Sequence, residues 1–243
     1  MRTATSPLLL VDQFAPQITS GALSQASPVA DALSPCWWKR PLDLFVILLF
    51  APLWFPVMLI VAVWVKIVSP GPIIYRQERI GHRQKRFTMF KFRSMKVSAA
   101  TAPHESHFTH LIRSDVPMTK LDAKGDHRLI PLGAFIRAAG LDELPQVFNV
   151  LRGEMSLVGP RPCTPYELQH YEADHLARVD VPPGLTGYWQ VNGKNRTTFK
   201  QMIEMDIFYA RNLSLALDLA ILARTGGVLV SELLGTGLPR RMG

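Results

Sequence analysis

The feature that most constrains this chain is a run of 22 residues, Leu44 to Val65, without one charged side chain. As a straight helix it would reach roughly 33 Å, about one bilayer core. Two prolines, Pro52 and Pro56, interrupt it. Each removes a backbone donor and disfavours helix at the residue before it, Ala51 and Phe55. Broken there, each half is expected to be too short to span. Charge adds a second constraint. Lys39 and Arg40 precede the run, and Lys66, Arg76, Arg79, Arg83, Lys85, Arg86, Lys91, Arg93 and Lys96 follow it. Basic flanks stay on the cytoplasmic side, so one crossing would export one of the two clusters. A re-entrant helix–break–helix hairpin keeps both inside. A Pro-kinked single span is the alternative that these residues leave open.

Around this element the chain divides into four parts. Residues 1–38 are rich in Ser, Ala, Pro and Gln and are expected to form a disordered tail. The membrane hairpin takes 39–69, ended by Ser69-Pro70-Gly71-Pro72. A cytoplasmic domain takes 70–225 and a C-terminal tail 226–243. The run begins too late for an ordinary signal peptide.

Within the domain, Ile73 to Tyr75 reads as a strand, and Arg79 to Met95 as basic residues interleaved with Phe87, Phe90 and Phe92. Residues 97–125 read as a polar, loop-like insertion. Leu132 to Ala139 and Pro145 to Leu151 have helical spacing. Tyr188 to Val191 resembles a strand entering an Asn192-Gly193 turn, and Phe199 to about Val230 is helical. The stretch Leu213 to Leu222 is apolar enough to lie on a membrane surface or in a core. The fold class is α/β, mainly α: a small cytoplasmic domain on a membrane hairpin with surface helices.

A formal charge of +8 points to polyanionic partners: nucleic acid, lipid headgroups or phosphate-rich substrates. The two cysteines have no metal or disulfide spacing. The most suggestive constellation is Leu141-Asp142-Glu143-Leu144-Pro145-Gln146. Gly140 ends one helix and Pro145 suits the first turn of the next. Asp142 and Glu143 then sit at a helix N-terminus, where free N–H groups attract anions. An ordinary acidic cap is the bland alternative. Arg137 lies five residues earlier. Arg161, between Pro160 and Pro162, sits in a stiff loop that loses little entropy on clamping an anion. Lys91 and Arg93 add positive charge beside Phe92, on substrate or at the lipid headgroups.

Taken together these segments resemble the bacterial sugar transferase family, the monotopic phosphoglycosyl transferases. The resemblance runs from about residue 39 to 225. It rests on Lys39-Arg40-Pro41-Leu42-Asp43, Ser69-Pro70-Gly71-Pro72, Arg76 to Gly81, Lys91 to Met95, Leu141 to Gln146, Asn149 to Pro162, Pro183 to Gly187 and Gln190 to Asn195. The wording around Cys163 to Glu167 is most similar to exopolysaccharide-initiating members. The resemblance implies a sugar 1-phosphate passed from a UDP-sugar to undecaprenyl (polyprenyl) phosphate, with UMP released. UDP-glucose or UDP-galactose are the donors it suggests.

By the same resemblance Asp142 is the nucleophile, forming an aspartyl-phosphosugar, and Glu143 assists as base or metal partner. Mg²⁺ held by Asp142 and Glu143 is implied as cofactor. Arg137, Arg161, Lys91 and Arg93 would neutralise phosphate charge, and Pro52 would break the hairpin. Membrane lipid is an expected partner, at the bacterial cytoplasmic membrane with the domain facing the cytoplasm. Oligomeric state stays open, a homo-oligomer included. Departures include Ala139-Gly140, where the family often has polar or basic residues.

Nucleic acid is not an expected partner. Eight basic residues between Arg76 and Lys96 face Glu78 alone, yet no helix-turn-helix or zinc spacing accompanies them. A basic, membrane-anchored non-catalytic binding protein is the other alternative. A metal-dependent glycosyltransferase lacks its Asp-x-Asp motif here, and Gly187 to Asn195 misses the P-loop pattern.

Overall fold

The computed structural model describes residues 36–96, 112, 116–118, 128–193 and 197–233, with side chains to Val228. The expectations for the tail up to residue 35, most of the 97–125 insertion, Lys194-Asn195 and the chain beyond 233 lie outside the described residues.

The apolar run forms two helices, α1 (Lys39–Leu49) and α2 (Ala51–Val68). The break falls at Phe50, and Pro52 belongs to the first turn of α2. A proline fits there because the first helical N–H groups have no intrahelical acceptor. This corrects the expectation that both halves fall short of a bilayer: α2 has 18 residues and is long and apolar enough to cross one. Met58, Val61 and Val65 line its protein-facing side, while Leu59, Ile60, Val63 and Ile67 are exposed.

A β-hairpin follows. Strand β1 (Ile74–Ile80) pairs antiparallel with β2 (Arg86–Phe92), from Ile74↔Phe92 to Ile80↔Arg86. The basic segment is therefore mostly strand. Helix α3 (Gly133–Ala138) stops at Ala139 and Gly140. A 3₁₀ turn, Leu141–Gln146, runs straight into α4 (Val147–Arg152), which Gly153 closes with φ +78°.

Next comes a two-stranded parallel pair, β3 (Ser156–Val158) and β4 (Gly184–Thr186). Between them lie α5 (Pro165–Leu168) and a 3₁₀ segment, Ala173–Val179. The strands meet backbone to backbone: a Cβ on Gly184 would lie 2.0 Å from the Gly159 nitrogen.

Tyr188 to Val191 is not a strand but lies in a short helix, α6 (Tyr188–Asn192). Its Tyr188, Trp189 and Val191 are all buried, a demand that one helical turn meets as well as a strand. The long helical stretch is two helices, α7 (Phe199–Arg211) and α8 (Leu215–Leu233). Thr198 and Gln201 form a reciprocal capping box at the start of α7. On α8, Leu217, Ala220 and Ile221 are buried while Leu215 and Leu219 are exposed.

Helix α1 is part of the core. Its Ile47 packs in one cluster with Val150, Val158, Tyr188, Tyr209 and Ile221. Helix α2 shares another with Phe92, Ile130 and Ile136.

Candidate active site

Local geometry explains the Asp142 turn. Gly140 has φ +68°, a left-handed conformation that only glycine adopts without strain. It ends α3 and redirects the chain so that Asp142 and Glu143 occupy the first turn of the next helical segment. Asp142 is 9% exposed. Glu143 keeps 42% of its side chain exposed and accepts from Lys91 Nζ at 2.7 Å.

Strand β2 supplies that lysine and packs along the 3₁₀ turn. Asn149 fixes the fit. Fully buried, it accepts from the Phe90 N–H at 3.1 Å and donates to the Thr88 carbonyl at 2.7 Å. Its amide thus mimics a neighbouring strand, one residue from Lys91. A second bond from Nδ2, 2.7 Å, reaches Glu154.

The other expected basic residues are placed differently. Arg137 Nη1 lies 3.4 Å from Ser94 Oγ. Arg93 is buried and donates to the Ser69 and Pro70 carbonyls, which end α2. Arg161 pairs with Glu167 Oε2 at 2.9 Å. Lys91 and Glu143 are brought together, whereas Arg93 and Arg161 meet other partners.

Around Arg161 lies a cluster the sequence did not announce. Glu167, 1% exposed, also faces Arg79 Nη1 at 3.7 Å. Arg79 donates to the Pro162 carbonyl at 3.1 Å, and the Ile80 N–H to that of Cys163 at 2.8 Å. The Pro160-Arg161-Pro162 loop is thus bolted to β1. Arg178, 1% exposed, pairs with Asp206, contacts the Tyr171 hydroxyl and donates to the Arg161 carbonyl.

Charge is crowded here. Burial, reinforced by the charge of Arg161, pushes the Arg79 guanidinium down to about 10. Burial works against ionised Glu167, yet Arg161 and Arg79 hold its carboxyl below the usual range. Burial lifts Asp206 to about 6 in spite of Arg178. One signal was legible: Thr164-Pro165-x-Glu167 has the spacing of a helix start, and Thr164 Oγ does accept from the Glu167 N–H at 3.0 Å.

A second buried network ties α1 to the domain. Lys39 Nζ donates to Val158 O at 2.8 Å, Tyr209 Oη at 3.0 Å and Asp218 Oδ2 at 2.6 Å. Tyr209 donates to Asp218 Oδ1 at 2.6 Å. Asp43 accepts from Ser156 Oγ and the Leu157 N–H. Arg40 donates to the Val150 and Leu151 carbonyls at the end of α4, the favourable place for a cation.

A family profile described as Bacterial sugar transferase matches residues 35–232. The chain belongs to the bacterial sugar transferase family. Among its sugar transferase relatives is the UDP-glucose:undecaprenyl-phosphate glucose-1-phosphate transferase of Xanthomonas campestris pv. campestris. It is 44% identical over 181 residues, covering 71% of this chain and 34% of the relative. The undecaprenyl-phosphate galactose phosphotransferase of Salmonella typhimurium is 37% identical over 199 residues, 79% of this chain and 40% of the relative. The exopolysaccharide production protein ExoY of Rhizobium meliloti is 33% identical over 224 residues, 92% of this chain and 93% of the relative. The chain thus spans well under half the length of the first two and nearly all of the third.

Proposed function

We propose that this sugar transferase moves a sugar 1-phosphate, glucose or galactose, from its UDP carrier to undecaprenyl phosphate, the first membrane step of exopolysaccharide synthesis. The observation that carries the reading is the Asp142 turn. It holds an almost buried aspartate beside the Lys91–Glu143 pair, in a chain whose relatives include two undecaprenyl-phosphate transferases by name.

In the first step an Asp142 carboxylate oxygen attacks the phosphorus that carries the sugar. The bond from that phosphorus to the bridging oxygen breaks, and UMP leaves with the electron pair. In the second step a phosphate oxygen of undecaprenyl phosphate attacks the same phosphorus and releases the Asp142 carboxylate. Covalent catalysis of this kind splits one difficult displacement into two. Lys91 brings positive charge to the side of the turn where phosphate oxygens would approach, and Arg137 borders it from α3.

The reading includes Mg²⁺, which Asp142 and Glu143 would hold together with the donor's phosphates. Among the described residues no group of three or more His, Cys, Asp or Glu side chains could hold an ion. Adjacent Asp142 and Glu143 supply the one or two carboxylates that Mg²⁺ takes alongside phosphate oxygens and water. The ion would screen the diphosphate from the attacking carboxylate.

The same reading makes the apolar element a re-entrant hairpin on the cytoplasmic face of the membrane. Its two ends are tied to one folded body. Lys39 and Arg40 anchor the start of α1 to β3, α4 and α8, while Arg93, just past β2, holds the end of α2. A single span would carry those ends about 30 Å apart, on opposite sides of the lipid.

The test is Asp142→Asn in the full-length protein in native membranes or nanodiscs. UMP release from UDP-glucose and UDP-galactose and trapping of a labelled phosphosugar on the protein should both vanish, with membrane association intact. Retained turnover would remove Asp142 from this role.

A further inference from the structure

The buried cluster behind the Pro160-Arg161-Pro162 loop is unbalanced. Three guanidinium groups, Arg79, Arg161 and Arg178, meet two carboxylates, Glu167 and Asp206. Arg79 and Arg178 are buried, and two atoms of the cluster, Arg79 Nε and Asp206 Oδ1, have no hydrogen-bond partner among the described residues. Arg161 alone of the three reaches the surface appreciably, with 26% of its side chain exposed. Among the described residues the cluster holds one more guanidinium than carboxylate and opens to solvent through a single arginine, so an anion at Arg161 would balance it.

We propose that Glu167 is a positioning residue: it holds one edge of the Arg161 guanidinium so that the exposed remainder is aimed at a phosphate of the nucleotide donor. The inference rests on the transferase reading above and extends it to a residue that touches no substrate. Glu167 suits the task for three reasons. Thr164 fixes its backbone at the first turn of α5. Its two carboxylate oxygens are divided between Arg161 and Arg79. Arg79 in turn grips the Pro162 carbonyl, so side chain and loop backbone are located by the same small group. The positively charged neighbours keep Glu167 ionised although it is buried.

Positioning and simple charge make opposite predictions. Glu167→Gln removes a negative charge from the cluster, so a purely electrostatic role would tighten anion binding. A positioning role weakens it, because the amide has one oxygen for two guanidiniums and turns an NH2 donor toward Arg161 or Arg79. Calorimetric titration of the full-length protein in nanodiscs with UDP and Mg²⁺ should therefore give at least about tenfold weaker binding in Glu167→Gln. That is the loss expected when one hydrogen bond to a charged group goes unmade. The donor KM should rise while the KM for undecaprenyl phosphate stays put.

Glu167→Asp keeps the charge but shortens the reach, and should fall between the two; it also carries the test if Glu167→Gln fails to fold by circular dichroism. In an Arg161→Gln background, Glu167→Gln should add no further loss. Unchanged or tighter UDP binding in Glu167→Gln, or an equal loss in the Arg161→Gln background, overturns the inference while leaving the transferase reading intact. A wild-type protein that neither binds UDP nor releases UMP from a UDP-sugar overturns both.

Discussion

Replacing Lys39 by methionine tests the buried attachment of α1. The side chain is 6% exposed and its ammonium serves three acceptors, of which Asp218 is 1% exposed. Methionine fills similar volume but leaves the Asp218 carboxylate desolvated without its cation. Removing one partner of such a pair costs about 3–5 kcal/mol, or roughly 10 °C in Tm for a chain of this size. The loss depends on pH in a definite direction. Burial already raises the Asp218 carboxyl above its ordinary 3.8, and Lys39 restrains that rise. Without Lys39 it climbs further, so the folded variant retains a proton that the unfolded chain releases. The destabilisation is then greatest at neutral pH and shrinks as pH falls toward the ordinary carboxylate range. Tryptophan fluorescence melts of nanodisc-embedded protein at about pH 7.5 and about pH 5.5 read this directly. A Tm within about 2 °C of wild type at the higher pH, or a larger drop at the lower one, would refute the reasoning.

Two further substitutions probe the frame of the site. Asn149→Leu strips the Thr88 and Phe90 backbone groups of their partner and should cost about 2–3 kcal/mol. It should also speed hydrogen exchange at the Phe90 amide; unchanged protection there would deny Asn149 its part in holding β2. Pro52→Ala restores a backbone donor beside the Phe50 break and should let α1 run on into α2. On the re-entrant reading, cysteine labels at the two ends should then report opposite sides of the membrane, and labels that both report one side would clear Pro52 as the determinant.

What could be read in advance follows from how local each cause is. The Asp142 turn was legible because Gly140 and Pro145 mark it within six residues of chain. The apolar element was legible because no charged residue falls between Leu44 and Val65, although the break falls at Phe50 rather than at Pro52: proline announces an interruption but is itself at home just after one. Lys39 read as a topology signal, yet its partner Asp218 is 179 residues away, and no local pattern marks the pair. Arg178 and Asp206, 28 residues apart, carry no local mark either, and Glu167 shows only its helix-start spacing, not its pairing with Arg161 and Arg79. Tyr188 to Val191 misled because aromatic and β-branched residues before Asn-Gly suit a hairpin, while burial of Tyr188, Trp189 and Val191 together decided for a helical turn.

Because Ser156, Leu157, Tyr209 and Asp218 all find hydrogen-bond partners on α1, the apolar two-helix element is not a detachable handle. Trimming the chain to obtain a water-soluble enzyme would cut away the polar counterparts of its own interior. A preparation cut after α2 would begin life with the Asp218 carboxylate at its centre stripped of its cation.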